Sequence, residues 1–186
     1  MGRNLRERIV LSKEELLMHE KDFIDKRHIE RYALARQFVY GNVLDFGCGC
    51  GYGSYLLSVN PDVSTVYAYD INDEIIDYAR DEFDSDNIVF SSDILVSADI
   101  DVMVCLEIAE HIKDKRVLPV WADKLNAKRL IVSYPSKKTT HYNKYHYHDF
   151  IESDILDMFN KYRVIKNLDL WHECKVFVME RNRSWM

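Results

Sequence analysis

Long apolar runs are missing from this chain. No stretch approaches the roughly 18 consecutive apolar residues that a membrane helix requires. The N-terminal segment MGRNLRERIVLSKEELL is charged throughout and lacks the apolar core of a secretory leader. Gly2 follows Met1, but Arg6 stands where a myristoylation signal places Ser or Thr. A basic excess is also missing. The 186 residues carry 25 Lys and Arg against 31 Asp and Glu, for a net charge of −6. That balance argues against a broad electrostatic grip on nucleic acid, which rests on clustered cations. The local clusters Lys113–Arg116 and Lys137/Lys138 read as solvated loop charges.

Cysteine is sparse. Cys48-x-Cys50 has no second pair at zinc-ribbon spacing, and Cys105 sits in an apolar run. The four cysteines are therefore expected as thiols in a reducing, cytoplasmic setting, without a metal. No repeat of 20–50 residues and no low-complexity tract appears. What is present is a 47% hydrophobic, 30% charged composition of ordinary globular type, long enough for one domain over residues 1–186.

Residues 12–39 have near-helical apolar spacing, opened by a capping box of Ser12 and Glu15. The polar middle, HEKDFIDKRH, divides this stretch into two helices, and Gly41-Asn42 ends it. Residues 1–40 thus form a helical cap on an α/β core over 41–186. Strands are expected at Val43–Phe46, Val66–Asp70, Ile88–Phe90, Asp101–Leu106 and Arg129–Ser133. Helices are expected at Gly53–Val59, Asp73–Phe83 (capped by Asn72), Val117–Leu125 and Ser153–Phe159. Tyr162–Leu170 and Lys175–Glu180 form a closing antiparallel hairpin. Strands alternating with helices predict a doubly wound, mostly parallel sheet.

Glycine is scarce too, six in all, yet it recurs at every second position in VLDFGCGCGYGS. Repeated glycine costs backbone entropy and lets the chain turn tightly while a ligand lies against bare backbone. The spacing fails G-x-G-x-x-G, because Tyr52 or Ser54 stands at the third position. It fits D-x-G-x-G-x-G, with Asp45 at the strand end. An acid there would repel a pyrophosphate and suit an ammonium or sulfonium group. Asp70 ends the second strand, where a carboxylate can meet a ribose diol. Asp93 follows the third, where it can accept from an adenine amino group. Three acids at successive strand ends bracket one nucleoside-sized ligand.

These segments resemble the class I S-adenosylmethionine-dependent methyltransferases. VLDFGCGCGYGSYLL resembles the family's first motif, VYAYDINDEIIDYAR its second and NIVFSSDIL its third. DVMVCLEIAEHI resembles the fourth-strand motif and RLIVSYPS the fifth strand, although the Pro-Gly-Gly turn common before that strand is replaced by LNAKR. The resemblance, over about residues 28–180, implies a Rossmann-like, seven-stranded sheet whose last strand is antiparallel. It implies S-adenosylmethionine as cofactor and S-adenosylhomocysteine as product. Gly47, Gly49 and Gly51 would pass under the methionine part, with Cys48 among them. Asp70 would bind the ribose and Asp93 the adenine, against which Ile71 and Ile94 would pack. Leu106 would complete the cofactor contacts.

Methyl transfer is an in-line displacement in which positioning matters greatly, and an alcohol or amine nucleophile gains from a general base. Glu107, Glu110 and His111 would share a face if 107–111 made a helical turn. The loop HYNKYHYH adds His141, His146 and His148 with Tyr142, Tyr145 and Tyr147, aromatics that could pack the loop or form a platform for an acceptor. The E-x-x-E-H run with a later histidine resembles the metal site of small-RNA 3′-terminal 2′-O-methyltransferases. His28-x-x-Arg31-Tyr32 leading into the glycine motif, with Asn143-x-x-His146 after the fifth strand, resembles a subgroup associated with sugar, glycan and small-molecule methylation. On that reading Arg31 or Tyr32 reaches the cofactor's methionine end, His146 is the general base and His111 the second choice beside Glu110, with no metal. The expected partner is a small-molecule or glycan acceptor; neither membrane nor nucleic acid is expected. A metal-assisted RNA-terminus methyltransferase and a non-catalytic cofactor-binding subunit are the alternatives. The acceptor, the atom methylated and the oligomeric state stay open at this level.

Overall fold

A computed structural model describes residues 9–17, 23–94 and 99–182. The chain divides into two compact units, 1–98 and 99–186. In the first, helix α1 (Lys13–Leu17) opens with the expected capping box: Glu15 N–H donates to Ser12 Oγ at 3.1 Å and Ser12 N–H to Glu15 Oε2 at 2.9 Å. Helix α2 spans Phe23–Ala35. Of the polar stretch expected to divide the helices, residues 19–22 lie outside the described residues and Phe23–His28 form the first turns of α2; the myristoylation pattern falls on 1–8, also outside them.

Strands β1 (Gly41–Phe46), β2 (Val63–Tyr69) and β3 (Ile88–Ser91) lie parallel in the order β3-β2-β1, with Phe46 opposite Tyr69 and Tyr69 opposite Ser91. Their carboxyl ends therefore reach one edge together. Helix α3 (Tyr52–Ser58) follows β1 directly, and helix α4 (Asp73–Glu82) follows β2. The predicted cap of α4 is observed, with Asn72 Oδ1 accepting from Ile75 N–H at 3.2 Å. The buried face of α4 is Ile75, Ile76 and Ala79, at helical spacing.

The second unit holds β4 (Val102–Leu106), β5 (Arg129–Pro135), β6 (Tyr162–Leu170) and β7 (Cys174–Arg181), in the order β4-β5-β7-β6. β4 and β5 are parallel; β7 runs antiparallel to both β5 and β6. Helices α5 (Val117–Lys124) and α6 (Glu152–Met158) complete it. All five residues of β4 are buried, as its unbroken apolar run requires, each large side chain contributing about 1.5–3 kcal/mol. β5 runs two residues beyond the expected Ser133, because Tyr134 and Pro135 still pair with Lys175 and Cys174 of β7. Proline is tolerated there as the terminal residue of the strand.

Two of the glycines in the motif answer to packing. A Cβ on Gly53 would overlap the ring of Tyr32, and one on Gly51 would lie 2.8 Å from Ala79 Cβ and 2.9 Å from the Phe90 ring. Tyr32 is buried and hydrogen-bonded, so it has nowhere to move. Overpacking of this kind costs about 1–3 kcal/mol, more than the up to about 1 kcal/mol gained by replacing a helical glycine. Gly53→Ala is expected to lower the unfolding free energy by about 1–2 kcal/mol in urea titration; an unchanged midpoint would contradict this packing.

Candidate functional site

The first unit builds a cradle at the carboxyl ends of β1, β2 and β3. Beyond Phe46 the chain turns through Gly47 (φ +84°), Gly49 (φ +54°) and Gly51 (φ +92°), conformations that side chains resist. The loop is seated on β2: the N–H groups of Gly47 and Cys48 donate to Tyr69 C=O at 2.7 and 2.9 Å. The Asp70 carboxylate accepts Gly49 N–H at 3.1 Å through one oxygen and Asn72 N–H at 3.1 Å through the other. Asp70 thus fixes the loop and the entry to α4 together.

The glycines divide by role. A Cβ at Gly49 would meet nothing within 4 Å, so its bare backbone borders open space. At Gly51, expected beside the ligand, a Cβ would meet Ala79 and Phe90, so packing too requires glycine there. Next to Asp70, Ile71 is 79% exposed, the highest value among the exposed large apolar residues described. Asp93 is exposed, with its N–H donating to Ser91 Oγ at 3.0 Å, and lines a shallow cleft with Ile94, Tyr67, Tyr69, Val89 and Ser91. An open glycine backbone, a strand-end carboxylate and an apolar side chain beside it match a ligand with a polar chain, a diol and a flat ring.

Asp45 departs from the expectation of an open, ligand-facing acid. It is fully buried, accepting Ser54 Oγ–H at 2.6 Å and Tyr32 O–H at 3.1 Å through its two oxygens. Burial pushes its carboxyl up to about 6; the two hydroxyls pull the other way, and Asp70 adds to the rise. Arg31 is also buried, and its Nη2 lies 2.8 Å from His28 Nδ1. Burial and the Arg31 charge hold His28 down at about 3, keeping that ring neutral. Cys48 is buried within the loop, and all four cysteines are buried thiols.

In the second unit Leu106 ends β4 and is buried. The shared face expected for Glu107, Glu110 and His111 does not form. Glu107 adopts φ +50° and lies outside the short 3-10 turn Ala109–His111. Its Oε1 accepts Ser133 Oγ–H at 2.8 Å and the Cys174 thiol at 3.3 Å. Glu110 and His111 are joined instead by His146. The His111 and His146 rings meet edge to face at 4.5 Å, and ligand atoms of Glu110, His111 and His146 lie within 4.8 Å of one another. Two imidazoles and a carboxylate are a donor set able to hold a divalent first-row cation.

The loop bearing His146 is clasped onto that turn. Tyr147 N–H donates to Glu110 C=O at 2.7 Å, and His148 Nε2 lies 3.1 Å from the carbonyls of Ile112 and Lys113. Asp149 ties the loop's start, accepting Thr139 N–H at 2.6 Å, Thr140 N–H at 3.0 Å and Thr140 Oγ1–H at 2.6 Å. Tyr142 and Tyr147 stay exposed, as do Lys113, Lys115, Arg116, Lys137, Lys138 and Lys144. Thr139 and Asp149 belong to no motif, and Ser54 closes the glycine run with nothing there to mark it as a donor to Asp45; only their contacts reveal these roles.

A methyltransferase-domain family model matches residues 18–163. The chain belongs to this family. S-adenosylmethionine is accordingly its cofactor, and the open Gly49 backbone and exposed Ile71, flanking the buried Asp70 carboxylate, fit that molecule. The N-methyltransferase NodS of Bradyrhizobium japonicum, solved with S-adenosylhomocysteine, is similar at 15% identity over 95% of this chain and 96% of its own, with a TM-score of 0.72. A SAM-dependent methyltransferase of Aquifex aeolicus is similar at 14% identity over 82% and 90%, with a TM-score of 0.66. A chain of the Pnkp1/Rnl/Hen1 RNA repair complex is similar at 18% identity over 83% of this chain but 41% of its own, with a TM-score of 0.64. No curated protein matches the sequence significantly. The architecture is the Rossmann-like methyltransferase fold, with seven strands, mostly parallel, and antiparallel strands at the C-terminus.

The buried carboxyl offers a test through pH. A group near 6 in the folded chain, against 3.8 as its ordinary value, binds its proton more tightly when folded. Its contribution favours the folded state as pH falls from 6 to 4 and is lost as pH rises through that window. A shift of about two units corresponds to about 3 kcal/mol. Urea midpoints at pH 7 and pH 4.5 are expected to show the wild type gaining on Asp45→Asn upon acidification. Parallel changes in both proteins would contradict it.

Proposed function

We propose that this chain methylates an oxygen of a small molecule or glycan, using His146 as general base. S-adenosylmethionine, when bound, supplies a methyl group already activated on a sulfonium centre and leaves as S-adenosylhomocysteine. The first unit's part is to hold it: the Gly49 backbone beside the amino-acid end, Asp70 at the ribose hydroxyls, Ile71, Asp93 and Ile94 at the adenine. Arg31, kept against a neutral His28, serves the carboxylate end. In the second unit His146 would take the proton of the acceptor's O–H. His111 and Glu110 back that ring.

The observation that carries the reading is the local assembly at His146. The loop histidine expected as the base lies in edge contact with His111 and 2.6 Å from the Thr139 hydroxyl, in a loop clasped to the turn after β4. Solvated loop histidines are not held this way. The tight join of the two loops favours a compact acceptor, or the exposed end of a polymer.

The three-residue donor set favours a second reading, a metal-assisted methyltransferase acting at an RNA terminus, in keeping with the similarity to a chain of the RNA repair complex. Glu107 would not join that set, because its carboxylate is engaged by Ser133 and Cys174.

One experiment separates them. Methyl transfer is measured across sugar, phenol, glycan, amine and RNA 3′-end acceptors, with and without a chelator. The expected result is transfer to an oxygen acceptor that survives chelation. His146→Ala is then expected to lower kcat by about a hundredfold, within the usual range for a general base. Transfer to RNA ends that collapses with chelator establishes the second reading. Unchanged turnover of His146→Ala at saturating acceptor overturns the base role, and cofactor binding without turnover on any acceptor marks a non-catalytic subunit.

A further inference from the structure

The hydrogen-bond chain behind His146 carries a second consequence. Thr139 is 6% exposed, and its Oγ1 lies 2.6 Å from His146 Nδ1. On its other side the same hydroxyl donates to Asp149 Oδ1 at 3.4 Å. Asp149 also takes the Thr140 hydroxyl and both threonine amides, which hold its carboxyl well below the usual range. An ionised carboxylate only accepts. A threonine hydroxyl has one proton, and once that proton points to Asp149 the oxygen can serve His146 only as an acceptor.

We propose that Thr139 is a positioning residue: with its proton directed to Asp149, Oγ1 accepts Nδ1–H of His146 and fixes the ring in the tautomer whose lone pair is on Nε2. The proposal rests on the reading of His146 as the base. It supplies what that reading lacks, a reason for the correct nitrogen to be unprotonated. A neutral imidazole has two tautomers, and only the one with a bare Nε2 can take a proton at that atom. The arrangement parallels the way a third group orients the base in nucleophile–base pairs, with a hydroxyl relaying the carboxylate.

The test uses the full chain and needs no acceptor. Long-range 1H–15N correlation spectra of the 15N-labelled protein, at a pH where the ring is neutral, report the tautomer of His146. The wild type is expected to show a protonated Nδ1 and an unprotonated Nε2. Thr139→Val is expected to shift the population toward Nε2–H, and Thr139→Ser, which keeps the hydroxyl, to restore the wild-type pattern. An Nε2–H tautomer in the wild type overturns the proposal, as does a Thr139→Val spectrum identical to wild type. Backbone amide spectra of Thr139→Val check that the loop is folded; if it is not, the wild-type and Thr139→Ser spectra still decide. With an acceptor in hand, Thr139→Val is expected to lower kcat about tenfold or more with KM unchanged, and Thr139→Ser to recover it. If the tautomer is as proposed while His146→Ala retains full turnover, the base reading fails and the positioning geometry stands.

Discussion

A carboxylate taken fully out of water must be given hydrogen bonds, and the way Asp45 receives them organises the first unit. Tyr32 comes from α2 and Ser54 from α3, while Asp45 is in β1. Three elements close on one side chain. The constraint propagates: Tyr32, held at its hydroxyl, presses its ring where only a glycine at 53 leaves room, and α3 must therefore begin as a bare-backbone turn. Asp70 does the same just beyond β2, taking one amide from the loop and one from the residue that caps α4. What remains open is the Gly49 backbone and the exposed face of Ile71, the place a ligand can occupy without displacing any of these ties.

The second unit applies the same logic to two loops. Glu107, in a strained left-handed conformation, is anchored to Ser133 and Cys174, which sends the chain away from β4 and into the short turn bearing Glu110 and His111. The long loop after β5 is folded on Asp149 and joined to that turn by main-chain and imidazole contacts. Neither histidine is positioned by its own element alone. Each is held by groups far off in sequence, which is how a loop can hold a reactive side chain steadily.

Much of this was legible in the sequence, for local reasons. Among the described residues, the alternation of short apolar runs with amphipathic stretches predicted every strand and all the main helices. The Ser12 capping box and the Asn72 cap appear where their spacing placed them. The glycine run and its acids identified the family because their spacing is a local pattern. The rest depended on partners distant in sequence. Asp45 looked like an open acid because nothing near it announces Tyr32, 13 residues earlier, as its donor. A helical face through Glu107 was reasonable until Ser133 and Cys174, 26 and 67 residues away, claimed its side chain. β5 outruns its apparent stop at Tyr134-Pro135 because β7 pairs alongside it. His146 was singled out by the resemblance of Asn143-x-x-His146 to a methyltransferase subgroup, but the Thr139 hydroxyl 2.6 Å from its ring carries no pattern at all.

The proposed seat of S-adenosylmethionine is the cradle formed by the glycine loop, Asp70 and Ile71. Calorimetric titration of the full chain with S-adenosylmethionine, S-adenosylhomocysteine and NAD tests it most directly, with Asp70→Ala alongside. Saturable binding of the first two is expected, with none of NAD and at least a tenfold loss in Asp70→Ala, about 1.4 kcal/mol. Binding of NAD in preference to S-adenosylmethionine, or affinity unaltered by removing the Asp70 carboxylate, would contradict it.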